Sequence, residues 1–380
     1  MLTAFRWVPL LTCGLIGCLI SGLITRAPAQ SGIVEQMKFL GQATLKTGLI
    51  YRKTEVGGLS GITYDPRNKV YYSISDDRSQ KAPARFYTLR IDLDQGLLKP
   101  KGVKVTKVTT LLDTNQQPFP AKSLDPEGIA VTKRSNVWIT SEGDADRLIA
   151  PFIRVFGLAG ESLSALDIPK RYLPTADKRQ GIRNNLAFES LTLTPDGQQL
   201  FTATENALYQ DGPVASYKEG SPCRILRYNL NLPTQQLEGE FLYQTEAIAV
   251  PADRVKISAM NGLSELLALD NQGHLLSLER AFVPDLGFTI RLFEVSLQNA
   301  DNLLKIDSLS GTDISKIKPA QKRLLADLRS LKIPLDNLEG MTLGPMLPDG
   351  RQTLIMVSDN NFSPLQVTQF LAFGLRMSKN

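Results

Sequence analysis

Five times along this chain an apolar run opens on a short acidic or serine-containing phrase, and a second acidic phrase closes the run that follows. The opening phrases are Gly58-Leu59-Ser60-Gly61-Ile62, Asp125-Pro126-Glu127-Gly128-Ile129, Ala187-Phe188-Glu189-Ser190-Leu191, Gly262-Leu263-Ser264-Glu265-Leu266 and Asn337-Leu338-Glu339-Gly340-Met341. The closing phrases are Ser75-Asp76-Asp77, Ser141-Glu142-Gly143-Asp144, Thr204-Glu205-Asn206, Leu278-Glu279-Arg280 and Ser358-Asp359-Asn360. A repeat of this kind restricts the architecture before any single residue is interpreted. From Ser60 to Glu127 is 67 residues, and the next intervals, taken to Glu189, Glu265 and Glu339, are 62, 76 and 74.

Within each repeat a strand-like run leads to a tight turn and a second run, as in Gly128-Ile129-Ala130-Val131 and Asn136-Val137-Trp138-Ile139-Thr140. The turns, among them Pro195-Asp196-Gly197 and Pro348-Asp349-Gly350, carry the residues that hairpins need. Two longer strand-like stretches follow each pair. Four antiparallel strands per repeat make the blade of a β-propeller. The expected fold is all-β: one propeller domain over residues 34–380, with five blades. A sixth, degenerate blade is the alternative, because the stretch from Leu286 to Asp336 is long. The last repeat offers three strands before the chain ends, and Gln36 to Leu45 is expected to supply the fourth and close the ring. Apolar residues at helical spacing between Ile314 and Leu331 predict a short helical insertion there.

The N-terminus differs in kind. Arg6 precedes an apolar stretch from Trp7 to Thr25, and Ala27-Pro28-Ala29 follows. This reads as a secretory signal over residues 1–29, which makes the chain exported, periplasmic or extracellular. Two alternatives stand: Leu15-Ile16-Gly17-Cys18 resembles a bacterial lipobox that would anchor the chain at Cys18, or the segment stays uncleaved as an anchor. Cleavage after Ala29 leaves Cys223 alone, so no intramolecular disulfide forms and a cysteine-based zinc site is disfavoured. Removing Arg6 and Arg26 from the 43 basic residues leaves 41 against 38 acidic ones, a net charge of +3. The basic residues are scattered, which argues against a nucleic-acid partner. A monomer is expected.

In an antiparallel pair the first strand starts where the second ends. If the first strand is innermost, Ser60, Glu127, Glu189, Glu265 and Glu339 ring one mouth of the central channel. Asp76, Glu142, Glu205, Glu279 and Asp359 then lie just outside them. Carboxylates at this density raise each other's pKa, and cations relieve the repulsion. Hard oxygen donors suit a divalent ion, Ca²⁺ or Mg²⁺, better than zinc, and calcium is the expected cofactor. For each single acid, binding to nearby backbone amides is an equal alternative. Arg78 and Arg280 directly follow acidic phrases, and Gly181-Ile182-Arg183-Asn184-Asn185 precedes the third repeat. Arg280, Arg183, Arg78 and Asn185 are therefore the candidate substrate-binding groups, because guanidinium planes suit phosphate or carboxylate. Each arginine could instead pair with its neighbouring acid. The single histidine, His274, sits in a turn at the opposite end of its blade, which excludes a Ser-His-Asp triad at the mouth.

Asp125-Pro126-Glu127-Gly128-Ile129-Ala130, Gly181-Ile182-Arg183-Asn184-Asn185 with Phe188-Glu189-Ser190-Leu191, Gly262-Leu263-Ser264-Glu265-Leu266-Leu267, Leu278-Glu279-Arg280, and Asn337-Leu338-Glu339-Gly340-Met341 with Val357-Ser358-Asp359-Asn360-Asn361 together resemble the exported phytase-like β-propeller family described by esterase-like activity of phytase. The resemblance spans roughly residues 50 to 375. It implies a propeller, export, and hydrolysis of phosphate or other esters. The first repeat departs from the pattern, with Ser60-Gly61 where others carry Glu. Two readings follow. The first is a metal-assisted hydrolase with Glu127, Glu189, Glu265 and Glu339 as its catalytic set, acting on a small anionic or ester substrate. The second is a non-catalytic exported propeller that binds a ligand or partner at the same mouth.

Overall fold

The protein is described here from a computed structural model, which covers residues 32–231, 235–249 and 259–378. The signal segment 1–29 and the lipobox at Cys18 lie outside these residues. Strand β1 (Val34–Leu45) comes first, followed by a small hairpin of β2 (Ile50–Tyr51) and β3 (Thr54–Glu55). The first blade is β4 (Leu59–Asp65), β5 (Val70–Ser75), β6 (Arg85–Asp94) and β7 (Leu97–Thr110). The second is β8 (Pro126–Val131), β9 (Asn136–Ser141), β10 (Phe152–Gly157) and β11 (Ser162–Ala165). The third is β12 (Thr192–Leu193), β13 (Gln199–Ala203), β14 (Pro222–Asn229) and β15 (Gln236–Gln244). The fourth is β16 (Met260–Ala268), β17 (His274–Val283), β18 (Gly287–Ser296) and β19 (Gln321–Asp327). The last contributes β20 (Asn337–Met346), β21 (Gln352–Asp359) and β22 (Thr368–Met377), and β1 pairs antiparallel with β22 to complete it. The N-terminal strap expected from the sequence is therefore present.

The first strands touch in sequence around a ring: β4 meets β8, β8 meets β12, β12 meets β16, β16 meets β20, and β20 meets β4. They line the channel. The core lies between blades rather than within one. Along β21, Leu354 and Met356 pack with Leu276, Leu278 and Leu292 of the fourth blade, while Ile355 and Val357 pack with Tyr71, Tyr87 and Leu89 of the first. This is the two-residue period of a strand whose faces both meet apolar neighbours. It explains why middle strands such as β5 and β21 read as nearly continuous apolar runs. Three further clusters fill the remaining blade junctions in the same way. Each fully buried large apolar side chain contributes about 1.5–3 kcal/mol, so the described residues, whose one cysteine, Cys223, is free, can be held by their five wedges.

The helix expected over 314–331 does not form. Ile314–Lys316 and Leu328–Leu331 are single 3-10 turns, and Gln321–Asp327 between them is β19. Pro319 removes a donor that a helix would need. The free edge of β18 offers a full ladder, with Arg291 to Ser296 paired to Asp327 to Gln321, and that pairing outweighs local helical preference. The stretch before β19 crosses to the third blade, where Leu303 N donates to Glu240 O (2.7 Å) and Leu303 and Leu309 pack on Leu242.

Candidate functional site

Each first strand carries one extra residue at its mouth end. The pairs Leu59↔Ser75, Pro126↔Ser141, Leu263↔Glu279 and Leu338↔Ser358 are each followed by a register shift, and Phe188↔Thr204 leads to Thr192↔Phe201 with one residue in excess. A bulge re-aims the side chain beside it. The re-aimed residues are Ser60, Glu127, Glu189, Ser264 and Glu339. The residues that follow their second-strand partners are Asp76, Glu142, Glu205, Arg280 and Asp359.

This register corrects two expectations in the fourth blade. Ser264, not Glu265, holds the ring position. Glu265 takes the next position, occupied elsewhere by Gly61, Gly128 and Gly340, which press against the neighbouring first strand. A Cβ at those glycines would lie 2.6 Å from Glu127 O, 2.6 Å from Leu191 Cβ and 2.8 Å from Ser60 O. The Glu265 carboxyl is accordingly turned to backbone, accepting from Leu191 N (3.1 Å), Leu266 N (3.0 Å) and Met341 N (3.4 Å). It ties three blades together across the channel. Glu279 likewise leaves the ring, because Arg280 holds the position that is acidic in the other blades. Its carboxylate is consumed by Tyr243 Oη (2.8 Å), Glu246 N (2.8 Å), Asn261 Nδ2 (3.1 Å) and Lys322 Nζ (2.7 Å).

Among the described residues, eight carboxyls gather at the mouth: Asp76, Asp125, Glu127, Glu142, Glu189, Glu205, Glu339 and Asp359. Two guanidiniums face them, Arg78 and Arg280. Arg280 Nη2 donates to Glu205 Oε1 (3.2 Å) and Glu339 Oε1 (3.1 Å), and Asn337 Nδ2 also donates to Glu339 Oε1 (2.9 Å). Gly262 makes room for this bridge, because a Cβ there would lie 2.1 Å from Glu205 Oε1. Among the described residues, Arg280 Nε is buried with no hydrogen-bond partner. On the opposite rim Arg78 lies against Asp125 Oδ2, and its Nη2 also reaches Asn185 Oδ1 (2.5 Å). Arg183 does not join the mouth. Its Nε and Nη2 donate to Ala207 O (3.0 Å) and Gly212 O (2.8 Å), and its guanidinium covers the Tyr209 ring, so it braces a loop.

Asp125, Glu127 and Glu142 bring carboxylate oxygens within 4.8 Å of one another, and all three residues are buried. Glu142 Oε1 accepts from Ala187 N, while its Oε2 is buried without a hydrogen-bond partner among the described residues, as is Asp76 Oδ1. The carboxyls of Glu127 and Glu189 have no hydrogen bond among the described residues. Burial first, then mutual repulsion, raises these groups. Asp76, Asp125 and Glu339 are pushed up to about 7, and Glu127, Glu142, Glu189 and Asp359 lie well above the usual carboxylate range. Glu205 is raised by burial, with Arg280 pulling the other way. Bringing positive charge into the mouth would relieve this cost. A buried trio with a spare oxygen fits a hard divalent ion, which takes carboxylate oxygens readily. Asp125 was hidden from repeat reasoning because Gly58, Ala187, Gly262 and Asn337 stand at its equivalent positions.

The sequence model of the phytase-like family, described as esterase-like activity of phytase, matches residues 54–362. An uncharacterized secreted protein of Arthroderma benhamiae is 25% identical over 156 residues, covering 35% of this chain and 29% of that protein, so the match spans under a third of the relative's length. Among solved structures, the Pseudomonas aeruginosa periplasmic gluconolactonase aligns with a TM-score of 0.35 and 13% identity, over 86% of this chain and 90% of that one. The tail fibre of Staphylococcus aureus phage P68 aligns with a TM-score of 0.40 and 12% identity, over 90% of this chain and 52% of that one. Both structural likenesses are too loose to bear on what this chain does.

Proposed function

The chain belongs to the phytase-like family, and from that premise we propose that it is a metal-assisted hydrolase of phosphate or other esters, acting at the acidic mouth. The observation that carries this reading is the buried, unpartnered Glu142 Oε2 beside Asp125 and Glu127. These three residues would hold the ion, for which calcium is the best fit to an all-carboxylate donor set. A divalent ion there would polarise an ester oxygen and offset charge that develops as the ester reacts. Glu189 and Glu339 flank the trio with raised carboxyls. A carboxyl that keeps its proton near neutral pH can donate it to the departing alcohol and take one back from water. Arg280 orients Glu205 and Glu339 and offers its free Nε–H to an anionic oxygen. Asp76 and Asp359 would add carboxylate charge around the ion.

Export through the N-terminal segment 1–29 is part of the same reading and would deliver the protein to a calcium-containing compartment. No helix among the described residues is long and apolar enough to cross a membrane. The test is metal analysis of the purified mature protein, followed by assays on phytate, p-nitrophenyl phosphate and a short acyl ester, with and without chelator. The expected result is chelator-sensitive turnover of at least one ester. An ion-loaded protein that turns over none of them would refute the reading.

A further inference from the structure

Arg78 is the single cationic side chain in contact with the Asp125–Glu127–Glu142 trio among the described residues. Its side chain is 27% exposed, whereas that of Asp125 is 2% exposed, so the arginine has solvent to move into and the acid does not. Asn185, held in the left-handed region at φ 57°, grips the same guanidinium nitrogen from the far side of the rim. A divalent ion bound by the trio needs an Asp125 oxygen and brings two positive charges beside that guanidinium. Asp125 would then stand between the ion and the guanidinium, and the repulsion between those two like charges is strong in a buried site. Arg280 stands in a different relation. Its partners, Glu205 and Glu339, lie outside the trio, and its side chain is 9% exposed, so ion entry gives it no cause to leave.

We propose that Arg78 is a built-in counter-ion that the divalent ion displaces from Asp125, and that displacement converts it from an internal ion pair into the rim's binding group for an anionic substrate. The inference rests on the metal reading above and adds an order to it, with the ion first and the anion second. Because the guanidinium is withheld until the ion arrives, ion and anion must strengthen each other's binding equally. Asn185 keeps the released arginine at the rim, where a planar fork can take two oxygens of a phosphate or carboxylate.

The test is calorimetric titration of Ca²⁺ into the chelator-stripped mature protein, as wild type, Arg78→Gln and Arg78→Lys, with and without inorganic phosphate. Removing the competing charge should tighten Ca²⁺ binding by about tenfold in Arg78→Gln and abolish most of the phosphate-induced gain, while Arg78→Lys stays near wild type. Melting curves check that the variants are folded. Should Arg78→Gln fail to fold, the wild type still decides: phosphate must bind more tightly with Ca²⁺ present than without it. Wild-type binding of Ca²⁺ with an unchanged or weakened affinity in folded Arg78→Gln overturns this proposal and leaves the hydrolase reading standing. Absence of Ca²⁺ binding in wild type and variants alike overturns both.

Discussion

The mouth and the flank of the third blade both bury arginines among acids, yet the two regions are built on opposite accounts of charge. On the flank, Arg224 forks onto Asp211 (Nε–Oδ2 2.6 Å, Nη2–Oδ1 2.9 Å) and reaches Glu240 Oε2 (2.7 Å). Arg171 takes the other Glu240 oxygen (3.0 Å), and Leu309 N donates to Asp211 Oδ1 (2.9 Å). Arg224, Asp211 and Glu240 have fully buried side chains, and none of their oxygens lacks a partner. This network is complete in itself and fastens the crossing stretch before β19 onto the third blade. At the mouth, among the described residues, eight carboxyls face two guanidiniums, and buried oxygens such as Glu142 Oε2 and Asp76 Oδ1 have no hydrogen-bond partner. A balanced cluster is a structural bolt. A cluster with surplus charge of one sign is unfinished until protons or a ligand complete it.

The contrast breaks hardest under substitution of an arginine on the flank. Arg224→Met leaves buried Asp211 without its counter-charge and Glu240 with Arg171 alone, and we expect a loss of about 3–5 kcal/mol in denaturant unfolding. The mouth should respond in the opposite sense. Glu142→Gln removes one member of a repelling set, so the ion-free protein should be at least as stable as wild type. The same variant should lose Ca²⁺ affinity by ~100-fold or more in calorimetry, since even indirect partners of a metal are worth ~10–100-fold. A Glu142→Gln protein that melts markedly lower and still binds Ca²⁺ normally would erase the distinction between the regions.

A smaller effect follows from pH. Asp76, Asp125 and Glu339 titrate near 7 in the folded chain, above their unfolded range near 4. The folded state therefore binds more protons across this window, and stability falls as pH rises through it. Chelator-treated protein should lose several degrees of melting temperature between pH 5 and pH 8, and Ca²⁺ should remove most of that slope. Asp77 shows the reverse relation. It pairs with the buried Arg85 (2.7 Å), and that bond together with three backbone amides holds its carboxyl below the usual range, so its contribution is lost only in acid. A melting temperature that stays flat or rises between pH 5 and 8 without metal would contradict the surplus-charge account.

Much of this was legible in the sequence. The five phrases located the five blades, the short last repeat foretold the β1 strap, and strand direction put the acids at one mouth. What escaped was set by contacts distant along the chain. Glu279 looked like its counterparts in other repeats, but Lys322 and Tyr243 claim it from other strands. Asp125 stood in the second phrase with no role of its own, and only the packing of the first blade against the second brings Arg78 to it. Helical spacing over 314–331 could not reveal that β18 had an open edge. One miss did leave a trace in the sequence. In the fourth phrase Ser264 occupies the third place and Glu265 the fourth, where glycine stands in three of the other repeats.

That one-residue offset gives the finest test of the comparison, because Glu265 is a buried acid at the channel that belongs to neither kind of cluster. No charged side chain among the described residues pairs with it. Burial pushes its carboxyl well above the usual range, against the pull of three backbone amides, which favours the protonated form. Glutamine has the shape of that protonated acid. Its carbonyl can take the place of Oε1, which accepts from Leu191 N and Leu266 N, while its amide occupies the place of Oε2, where the bond from Met341 N is long at 3.4 Å. Glu265→Gln should therefore cost less than about 1 kcal/mol and leave Ca²⁺ affinity and turnover at wild-type levels. Glu265→Ala strands amides from three blades and should cost about 1–3 kcal/mol, again with no change in Ca²⁺ affinity. If Glu265→Gln instead abolishes Ca²⁺ binding or turnover while the protein stays folded, Glu265 belongs with the mouth after all, and the bulge register does not mark the edge of the site.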